Sequence, residues 1–522
     1  MSFPENPIDA LSWRQAAREA PELEALRWSS HIWSFRDLGA LVTETADELR
    51  AQGAGPGVAV ALKAENGLRA LAVAAATLEL GATLVLLHPR LTAGEEKALL
   101  EEARPRVLVA ERSVASLPGA ASLPKVASLS ALPKVVSLPG AASLPEVASL
   151  SGAASLPEVI SLPGAAAFPE QVGVVMFTSG TSGKPKGAQL SRRALIAAAQ
   201  ASAENLPVRP GDRWLLCLPL CHIGGLSILL RCLLGRGSVV LAPRFRADEV
   251  LAQIEEHRPT LLSVVPTMLH ALLEADRGNL LASLRAVLVG GAAAAPALLE
   301  RCASRGVLAL TTYGLTEACS QVTTQRPRDP ATTEPGVGFP LPGVTLRLVD
   351  EDGAEVAPGA VGRLLVQGPA LMDGYLHGEP LRGGPDAVRG EPLGGWLDTG
   401  DLGSLDEHGR LHLHARRTDL IVTGGENVYP AEVEAWLLAR GGVAEAMVFG
   451  VPDPVWGQLV AVALVPGAGF DLDALRAALT AELAVYKRPR RYLLTTTLPV
   501  GSTGKPLRRR ALELFATDLR PL

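Results

Sequence analysis

Residues 178–187 read Thr-Ser-Gly-Thr-Ser-Gly-Lys-Pro-Lys-Gly, and they follow a short apolar run, Val174–Phe177, that predicts a buried strand. Hydroxyl residues, glycines and two lysines leave little side-chain bulk, so backbone N–H groups and hydroxyls can surround a polyphosphate while lysine offsets its charge. The spacing differs from that of the usual P-loop, and Pro185 follows Lys184. The string therefore predicts a nucleotide-binding loop of another type, with a plain surface turn as the alternative.

Further short motifs follow this string along the chain. They are Tyr-Gly-Leu-Thr-Glu at 313–317, Trp-Leu-Asp-Thr-Gly-Asp at 396–401, Arg-Arg-Thr-Asp at 416–419, Gly-Gly-Glu-Asn at 424–427 and Gly-Lys at 504–505. With these motifs the chain resembles the adenylate-forming superfamily, which includes acyl-CoA synthetases, the adenylation domains of peptide synthetases, and luciferases. The resemblance runs from about Trp13 to the C-terminus except for one internal insert, and several ordered motifs are far stronger evidence than one.

Length and composition describe an ordinary globular protein of more than one domain. A chain of 522 residues is too long for a single hydrophobic core, and it is 48% hydrophobic and 20% charged. The formal net charge of −5 gives no reason to expect a nucleic-acid or membrane surface. Glu5 and Asp9 lie where a signal peptide would be basic and then apolar, so none is expected. Glu79 and Gly81 interrupt the apolar stretch 70–87, which predicts a helix, a turn and a buried strand instead of a membrane span.

The five cysteines form an odd count without a CxxC pair, which favours reduced thiols and a cytoplasmic protein. Cys217, Cys221 and His222 invite a zinc interpretation, but their segment is strongly apolar and no second ligand pair follows. A metal site is therefore not expected there. The sequence leaves a homo-oligomer open.

The order of apolar segments predicts an α/β fold. Helical segments alternate with short Val/Leu strands through the first 310 residues, which indicates two mainly parallel sheets flanked by helices. Strands at 344–349 and 362–367, separated by Gly/Pro/Asp turns, predict an antiparallel, distorted β-barrel piece. The resemblance implies an N-terminal adenylation domain, 1–415, and a small mobile α+β C-terminal domain, 416–522, with a hinge at Arg417–Thr418.

Residues 113–170 form a low-complexity insert. Leucine recurs at 132, 138, 144, 150, 156 and 162, mostly within Ser-Leu-Pro. Such a repeat suggests tandem duplication. A small β-solenoid is one option, but the recurring prolines favour a loosely extended surface insert.

The resemblance implies ATP and Mg²⁺ as nucleotide and metal, and it assigns roles to matching residues. Thr178, Ser179, Thr181 and Lys186 would hold the phosphates, with Gly180, Ser182 and Gly183 shaping the loop. Glu317 would bind magnesium, Thr316 the α-phosphate or the reacting carboxylate, and Tyr313 the adenine, with Gly291 also at the nucleotide. Asp401 and Arg416 would bind the ribose. From the residues alone, Tyr-Gly-Leu-Thr-Glu also fits a plain helix start capped by Thr316, and Asp401 fits a turn former.

The resemblance also implies a second step with coenzyme A as co-substrate. Lys505 would bridge the carboxylate and the α-phosphate during adenylation, where a cation stabilises charge that peaks in the transition state. The small domain would then rotate and bring Gly424, Gly425 and Glu426 to the thiol channel. Ala415 and Thr418 depart from the family pattern, although Asp419 is retained, which puts the hinge in doubt more than the nucleotide contact.

The acid is expected to bind between Leu218 and Gln321. His222 stands where amino-acid-activating relatives use an aspartate, so an amino acid substrate is disfavoured. Ser320 and Gln321 add hydrogen-bonding capacity that a fatty-acyl tunnel does not need. Together with the Gly-Gly-Glu-Asn-Val-Tyr-Pro run, these segments resemble the o-succinylbenzoate–CoA ligases of menaquinone synthesis. Their substrate has a second carboxylate, for which the candidate partners are Arg231, Ser320, Gln321 and Thr323.

Alternatives stay open at this point. Another aryl- or medium-chain acyl-CoA synthetase would share every nucleotide motif and differ only in its pocket. A non-catalytic nucleotide-binding scaffold is the alternative of another class, although Lys505 and Glu317 argue against it. A luciferase-like oxidation has no support in the sequence.

Overall fold

The computed structural model describes residues 10–110, 158–161, 167–179, 185–292, 294, 296–327, 336–350, 352–376, 395–416, 421–440, 442–499 and 508–522. The ten-residue string is described only at its two ends, and Lys505 lies outside the described residues. Two parts are distinguished by their sheets. The N-terminal unit (residues 10–416) carries three sheets, and the C-terminal unit (residues 421–522) carries the fourth.

The helices of the described residues are α1 (Trp13–Glu19), α2 (Phe35–Ala51), α3 (Leu68–Glu79), α4 (Ala93–Ala103), α5 (Arg192–Asn205), α6 (Ile223–Gly235), α7 (Ala247–His257), α8 (Pro266–Ala275), α9 (Pro296–Ser304), α10 (Pro430–Leu438), α11 (Leu472–Glu482) and α12 (Arg508–Phe515). Short 3₁₀ helices cover Leu280–Ser283, Thr316–Ala318 and Val485–Lys487. In the part of the chain that the structure covers, no helix combines the length and the apolar composition that crossing a bilayer requires.

The strands of the N-terminal unit are β1 (Glu24–Trp28), β2 (His31–Ser34), β3 (Ala59–Lys63), β4 (Thr83–Leu87), β5 (Val107–Ala110), β6 (Glu158–Ser161), β7 (Val172–Ser179), β8 (Pro185–Ser191), β9 (Arg213–Leu216), β10 (Ser238–Leu241), β11 (Leu261–Val264), β12 (Ala286–Val289), β13 (Ala309–Leu315), β14 (Ser320–Thr324), β15 (Phe339–Pro340), β16 (Thr345–Val349), β17 (Gly362–Gln367), β18 (Gly374–Tyr375), β19 (Leu397–Leu405) and β20 (Leu411–Arg416). Those of the C-terminal unit are β21 (Ile421–Thr423), β22 (Glu426–Val428), β23 (Val443–Asp453), β24 (Gly457–Pro466), β25 (Arg491–Leu494) and β26 (Arg520–Pro521).

Two large sheets with parallel centres form most of the N-terminal unit, as predicted. One has nine strands in the order β15-β14-β13-β12-β11-β9-β10-β1-β2, and the other has seven in the order β18-β8-β7-β4-β3-β5-β6. Strands β3, β4 and β5 are buried along their whole length, which explains their continuous apolar sequences. The predicted α/β class is confirmed.

The main core lies between these two sheets. Its largest cluster contains Val60 and Leu84 from the seven-stranded sheet together with Trp214 and Leu216 from the nine-stranded sheet. Helix α3 is buried on nearly all sides within this cluster, so its polar positions are few and alanine lets it pack closely.

The third sheet is antiparallel and has the order β16-β17-β19-β20. This confirms the antiparallel character predicted after residue 323, while closure into a barrel stays a prediction. The C-terminal unit has a six-stranded sheet of β21 to β26 with α10, α11 and α12, an α+β arrangement.

The C-terminal end of the repeat insert belongs to the seven-stranded sheet. Strand β6 pairs antiparallel with β5, with Val107 opposite Ser161, and Phe168 is buried in the core beside Gly57. The surface insert predicted at 113–170 is therefore too long at its C-terminal end, since Glu158–Ser161 is an edge strand of the sheet. This segment can pair because Pro157 and Pro163 lie outside the paired residues. Residues 111–157 lie outside the described residues, so the solenoid alternative is not tested.

Candidate active site

A cavity of about 810 Å³ lies where the N-terminal sheets meet the C-terminal unit. Its walls come from β7, the loop before α6, the 3₁₀ turn at 316–318, and the C-terminal loop at 424–427. Of the residues assigned from the sequence, those that line it are Thr178, His222, Arg231, Gly291, Thr316, Glu317, Ser320, Gln321, Gly424, Gly425 and Glu426. Motifs that are far apart in the chain therefore share one space.

Glu317 lies at the centre of a hydroxyl cluster. Its Oε1 accepts hydrogen bonds from the Tyr375 hydroxyl at 2.8 Å and from the Thr178 hydroxyl at 3.3 Å. Within the described structure, no protein donor reaches its Oε2. The Lys186 ammonium lies 5.5 Å from the centre of the Tyr375 ring. A carboxylate fixed through one oxygen, beside a lysine and the end of the phosphate string, fits a hard cation that also contacts phosphates.

The phosphate string connects two paired strands. Strand β7 ends at Ser179 and β8 begins at Pro185, and these two residues are opposite each other in the antiparallel pair. The string is therefore the loop of a hairpin at the end of a buried strand. Gly180, Thr181, Ser182 and Gly183 lie outside the described residues, so their predicted role is untested.

Tyr313 and Asp401 are brought together, as a shared nucleotide subsite requires. The Tyr313 hydroxyl donates to Asp401 Oδ2 at 2.6 Å, and both side chains are buried. Asp401 lies opposite Arg416 in the pairing of β19 with β20. The three positions predicted for adenine and ribose are thus neighbours, although Tyr313 and Asp401 do not line the cavity itself.

One wall of the cavity contains a buried arginine. Arg231 is 5% exposed, donates to the Ser320 hydroxyl at 3.3 Å, and lies 5.3 Å from the Trp214 ring. Its Nε is buried without a hydrogen-bond partner, and no carboxylate of a described residue pairs with it. Burial lowers the pKa of Arg231 to about 10, so the guanidinium is still charged at neutral pH. The guanidinium can therefore pair with an anionic group of a ligand that enters the cavity.

A turn with strained backbone angles determines the position of Ser320 at the cavity. After the 3₁₀ turn, Cys319 and Ser320 adopt positive φ angles of 50° and 107°. Gly314 faces this turn across the strand pair, and a Cβ there would lie 1.9 Å from the Ser320 carbonyl oxygen. Glycine at 314 therefore allows Ser320 and Gln321 to approach the motif strand closely.

Gln321 and Thr323 differ in what they can offer a substrate. The Gln321 amide nitrogen donates to Thr324 at 2.8 Å, and its buried Oε1 has no partner among the described residues, so it can accept a hydrogen bond at the cavity. Thr323 is fully buried, donates to the Val337 carbonyl at 2.8 Å, and is not among the residues that line the cavity.

Glu426 of the C-terminal unit is surrounded by cationic and imidazole groups of the N-terminal unit. Its carboxylate accepts from His88 Nε2 at 3.0 Å and from His222 Nε2 at 3.1 Å, and it pairs with Arg90. Burial opposes ionisation, but the hydrogen bonds from His222 and His88 outweigh it, so the pKa of Glu426 is well below its usual range. Burial lowers the pKa of His88.

Ligand atoms of His88, Cys221 and His222 lie within 4.8 Å of one another, which is a spacing compatible with a metal. The hydrogen bonds favour another arrangement. His88 Nδ1 accepts from the Arg90 backbone N–H at 3.1 Å, so its Nε2 carries the proton and donates to Glu426. Burial also raises the pKa of the Cys221 thiol. His88 and His222 are therefore both engaged in a hydrogen-bonded contact with Glu426.

The adjacent glycines at 424 and 425 both have positive φ angles, 59° and 86°. A Cβ on Gly425 would lie 2.9 Å from Val265 of the N-terminal unit. A side chain at either position would strain the backbone, and one at 425 would also push the units apart, which explains why the loop carries glycine.

Known proteins share this architecture over the whole chain. The model of the AMP-binding enzyme family matches residues 13–376, and the model of the AMP-binding enzyme C-terminal domain matches residues 432–505. The chain belongs to the AMP-binding enzyme family. The family prediction made from the motifs is confirmed.

Relatives of this AMP-binding enzyme have a common name. The 2-succinylbenzoate–CoA ligase of Bacillus pumilus is 35% identical over 94% of this chain and 95% of its own length. A double mutant of o-succinylbenzoate CoA synthetase from Bacillus subtilis, bound with its product analogue OSB-NCoA, is 31% identical, has a TM-score of 0.80, and matches 98% of this chain and 99% of its own. The Bacillus subtilis synthetase with ATP and a magnesium ion is also 31% identical, with a TM-score of 0.64 over 96% of this chain and 98% of its own.

Several contributors to this AMP-binding enzyme site were missed from the sequence. Tyr375 lies 58 positions from Glu317 and has no local pattern that marks it. His88 and Arg90 follow a buried strand, where an open α/β sheet places ligand contacts, and that signal could have found them. Arg416 is described only through its backbone.

Proposed function

We propose that this protein is an ATP-dependent, AMP-forming acid–thiol ligase that converts o-succinylbenzoate to o-succinylbenzoyl-CoA through an acyl-adenylate. The choice of o-succinylbenzoate as substrate rests on Arg231, a buried arginine at the cavity wall without an acidic partner among the described residues. A buried charge of this kind is costly unless a ligand pairs with it. The relatives named for a dicarboxylate substrate agree with this charge.

The chemistry follows from the acid. A carboxylate resists attack by a thiol because its oxygens carry charge and oxide is a poor leaving group. Its attack on the α-phosphate of ATP gives a mixed anhydride with AMP as leaving group and releases pyrophosphate. The protein must align the carboxylate, neutralise the phosphates and exclude water.

The described residues fit these needs. Thr178 and Lys186 lie at the phosphate string, and Glu317, held by Tyr375, would bind the magnesium ion that neutralises phosphate charge. Thr316 lines the cavity beside Glu317, where it would bind the α-phosphate or the reacting carboxylate. Lys505 keeps the role of the cation at the α-phosphate.

The second carboxylate of o-succinylbenzoate would pair with Arg231. Ser320 donates from the same wall, and Gln321 borders it. Thr323 is better explained as a structural residue, since its hydroxyl is committed to the Val337 carbonyl. His222 keeps its place at the cavity but is held by Glu426, so its role concerns the approach of coenzyme A more than the acid.

We propose that the two units have the arrangement of the thiol step. The Bacillus subtilis synthetase superposes with a TM-score of 0.80 as a double mutant that holds a CoA product analogue, and with a TM-score of 0.64 when it holds ATP and a magnesium ion. Because the compared chains differ by two substitutions, the difference in TM-score points to the relative position of the units. The loop 424–427 then lines the cavity, where coenzyme A would enter.

The partners we propose are therefore a carboxylic acid, ATP and coenzyme A, with no nucleic acid. We place the protein in the cytoplasm, where its described free cysteines remain reduced.

Parallel ligation assays test the proposal. Purified protein is incubated with ATP, magnesium and coenzyme A, together with o-succinylbenzoate, benzoate or octanoate, and the acyl-CoA and acyl-adenylate are identified by mass. We expect product with o-succinylbenzoate at a kcat/KM at least about 100-fold above the other two acids. Preference for benzoate or octanoate would support the aryl- or medium-chain alternative, and no adenylate with any acid would support a scaffold.

A further inference from the structure

One short segment of the N-terminal unit receives most of the polar contacts from the C-terminal unit. This docking segment, residues 88–95, joins β4 to the first turn of α4. His88 and Arg90 contact Glu426, and the His88 ring centre lies 5.1 Å from that of Tyr486. The Thr92 hydroxyl lies 2.9 Å from the Glu482 carbonyl oxygen. The segment therefore determines how the two units fit together.

At the end of this segment an ion pair crosses between the units. The Lys487 ammonium lies 2.9 Å from Glu95 Oε1 and 2.6 Å from Glu432 Oε1. The Lys487 side chain is 8% exposed and that of Glu95 is 15% exposed, so water screens the pair little. Burial opposes the charge on Lys487, but Glu432, Tyr486 and Glu95 outweigh it and raise its pKa.

Each partner also has a second contact within its own unit. Glu95 Oε2 accepts from the Thr92 hydroxyl at 2.8 Å and from the Thr92 backbone N–H at 2.9 Å, which caps α4. Lys487 keeps Glu432, which belongs to the C-terminal unit like Lys487 itself. When the units separate, neither charge is left buried and unpaired. The pair can therefore form and break in each cycle without trapping the protein in one arrangement.

We propose that Glu95 and Lys487 are positioning residues for thioester formation, because their ion pair holds the C-terminal unit in the arrangement that places the 424–427 loop at the cavity. Neither residue needs to touch the reacting atoms. Because the pair joins the two units in this arrangement, it should act on the second half-reaction and not on adenylation, for which the units would rotate. This inference rests on the proposed two-step ligation.

The test separates the two half-reactions in full-length protein. Adenylation is measured as exchange of labelled pyrophosphate into ATP, and thioester formation as single-turnover transfer from preformed acyl-adenylate to coenzyme A. For Glu95→Gln we expect the transfer rate to fall about tenfold, as for loss of a charge-assisted hydrogen bond, while exchange stays within about twofold. The control is Glu101→Gln on the same helix, because Glu101 is 67% exposed and pairs only with Lys97 in the described structure.

A double-mutant cycle isolates the pair. Lys487→Met alone, and together with Glu95→Gln, should show coupling in the transfer rate and none in pyrophosphate exchange. Equal losses in both half-reactions would mean a merely structural role and would overturn the inference, as would an unchanged transfer rate. Small-angle X-ray scattering gives a readout that does not depend on activity: Glu95→Gln should separate the units, whereas Glu101→Gln should match wild type. A wild-type protein that forms no thioester would refute the proposed function, and the scattering comparison would still test the ion pair.

Discussion

Replacing Arg231 by methionine tests whether this side chain contributes to substrate binding or to the stability of the fold. In the free protein, Arg231 has one long hydrogen bond, 3.3 Å to Ser320, and one aromatic contact, 5.3 Å to Trp214. Each contributes about 1 kcal/mol. Against them stands the desolvation of a guanidinium that is 5% exposed, which amounts to several kcal/mol. We therefore expect Arg231→Met to fold with unchanged stability or with a gain of about 1–2 kcal/mol.

The same variant should bind the dicarboxylate poorly. A hydrogen-bonded pair between the guanidinium and the second carboxylate contributes about 1.5–3 kcal/mol, which corresponds to about 10- to 100-fold in kcat/KM for o-succinylbenzoate. Benzoate lacks this carboxylate, so its kcat/KM should change by less than about threefold. Steady-state CoA ligation with both acids, together with urea unfolding of each protein, measures the two effects.

Arg192→Met is the matched control. Arg192 is also a buried arginine, but it donates to the backbone carbonyls of Glu170, Val172 and Ala82. Its loss leaves the Glu170 and Ala82 carbonyls without this donor, whereas the Val172 carbonyl keeps the Thr83 hydroxyl, so it should destabilise the fold by about 3 kcal/mol without changing the preference between acids. If Arg231→Met destabilised the protein as much, or reduced benzoate and o-succinylbenzoate turnover equally, Arg231 would be a structural residue and the argument from its unpaired charge would be refuted.

Three further outcomes are expected. Lys505→Ala should leave ATP affinity within about twofold, measured by calorimetry, and lower pyrophosphate release by about 100-fold or more, because the lost cation acts on transition-state charge. Tyr375→Phe removes a donor from Glu317, so the magnesium concentration for half-maximal adenylation should rise about tenfold; an unchanged magnesium titration would contradict the assignment. Burial lowers the pKa of His88, so the unfolded chain binds its proton more readily, and stability should fall as pH drops below 6.5, the ordinary value. Thermal unfolding from pH 8 to 5 measures this loss, and His88→Gln should reduce it.

The sequence predicts the central strands well because burial and chain breakers both act locally. The stretch 70–87 is predicted as a helix, a turn and a buried strand, and the structure has a helix that ends at Glu79 and a fully buried strand at Thr83–Leu87. Gly81, at a φ of 70°, ends the preceding helix as expected. The edge strand β6 was not predicted, since its pairing depends on an open sheet edge and not on its own composition.

The residues of the candidate site also fall into two groups, those that local motifs predict and those that only the folded chain brings together. Glu317 and Thr178 are found from motifs that carry their own chemistry, and the structure places their side chains 3.3 Å apart. The contacts of Glu426 with His88 and Arg90 span more than 330 positions and depend on how two units meet, which no local pattern encodes. Arg231 was only one of several candidates, because burial without an acidic partner is a property of the folded chain.

The pairing of β6 has a consequence for how this gene can vary. The segment Pro-Glu-Val-Ile-Ser-Leu at 157–162 supplies β6, and closely similar six-residue segments begin at Pro124, Pro133 and Pro145. Gain or loss of whole units by unequal recombination therefore still delivers an equivalent final copy to β5 and keeps Phe168 in register with the core. A change in the number of these units would therefore leave the downstream adenylation residues in frame and in place.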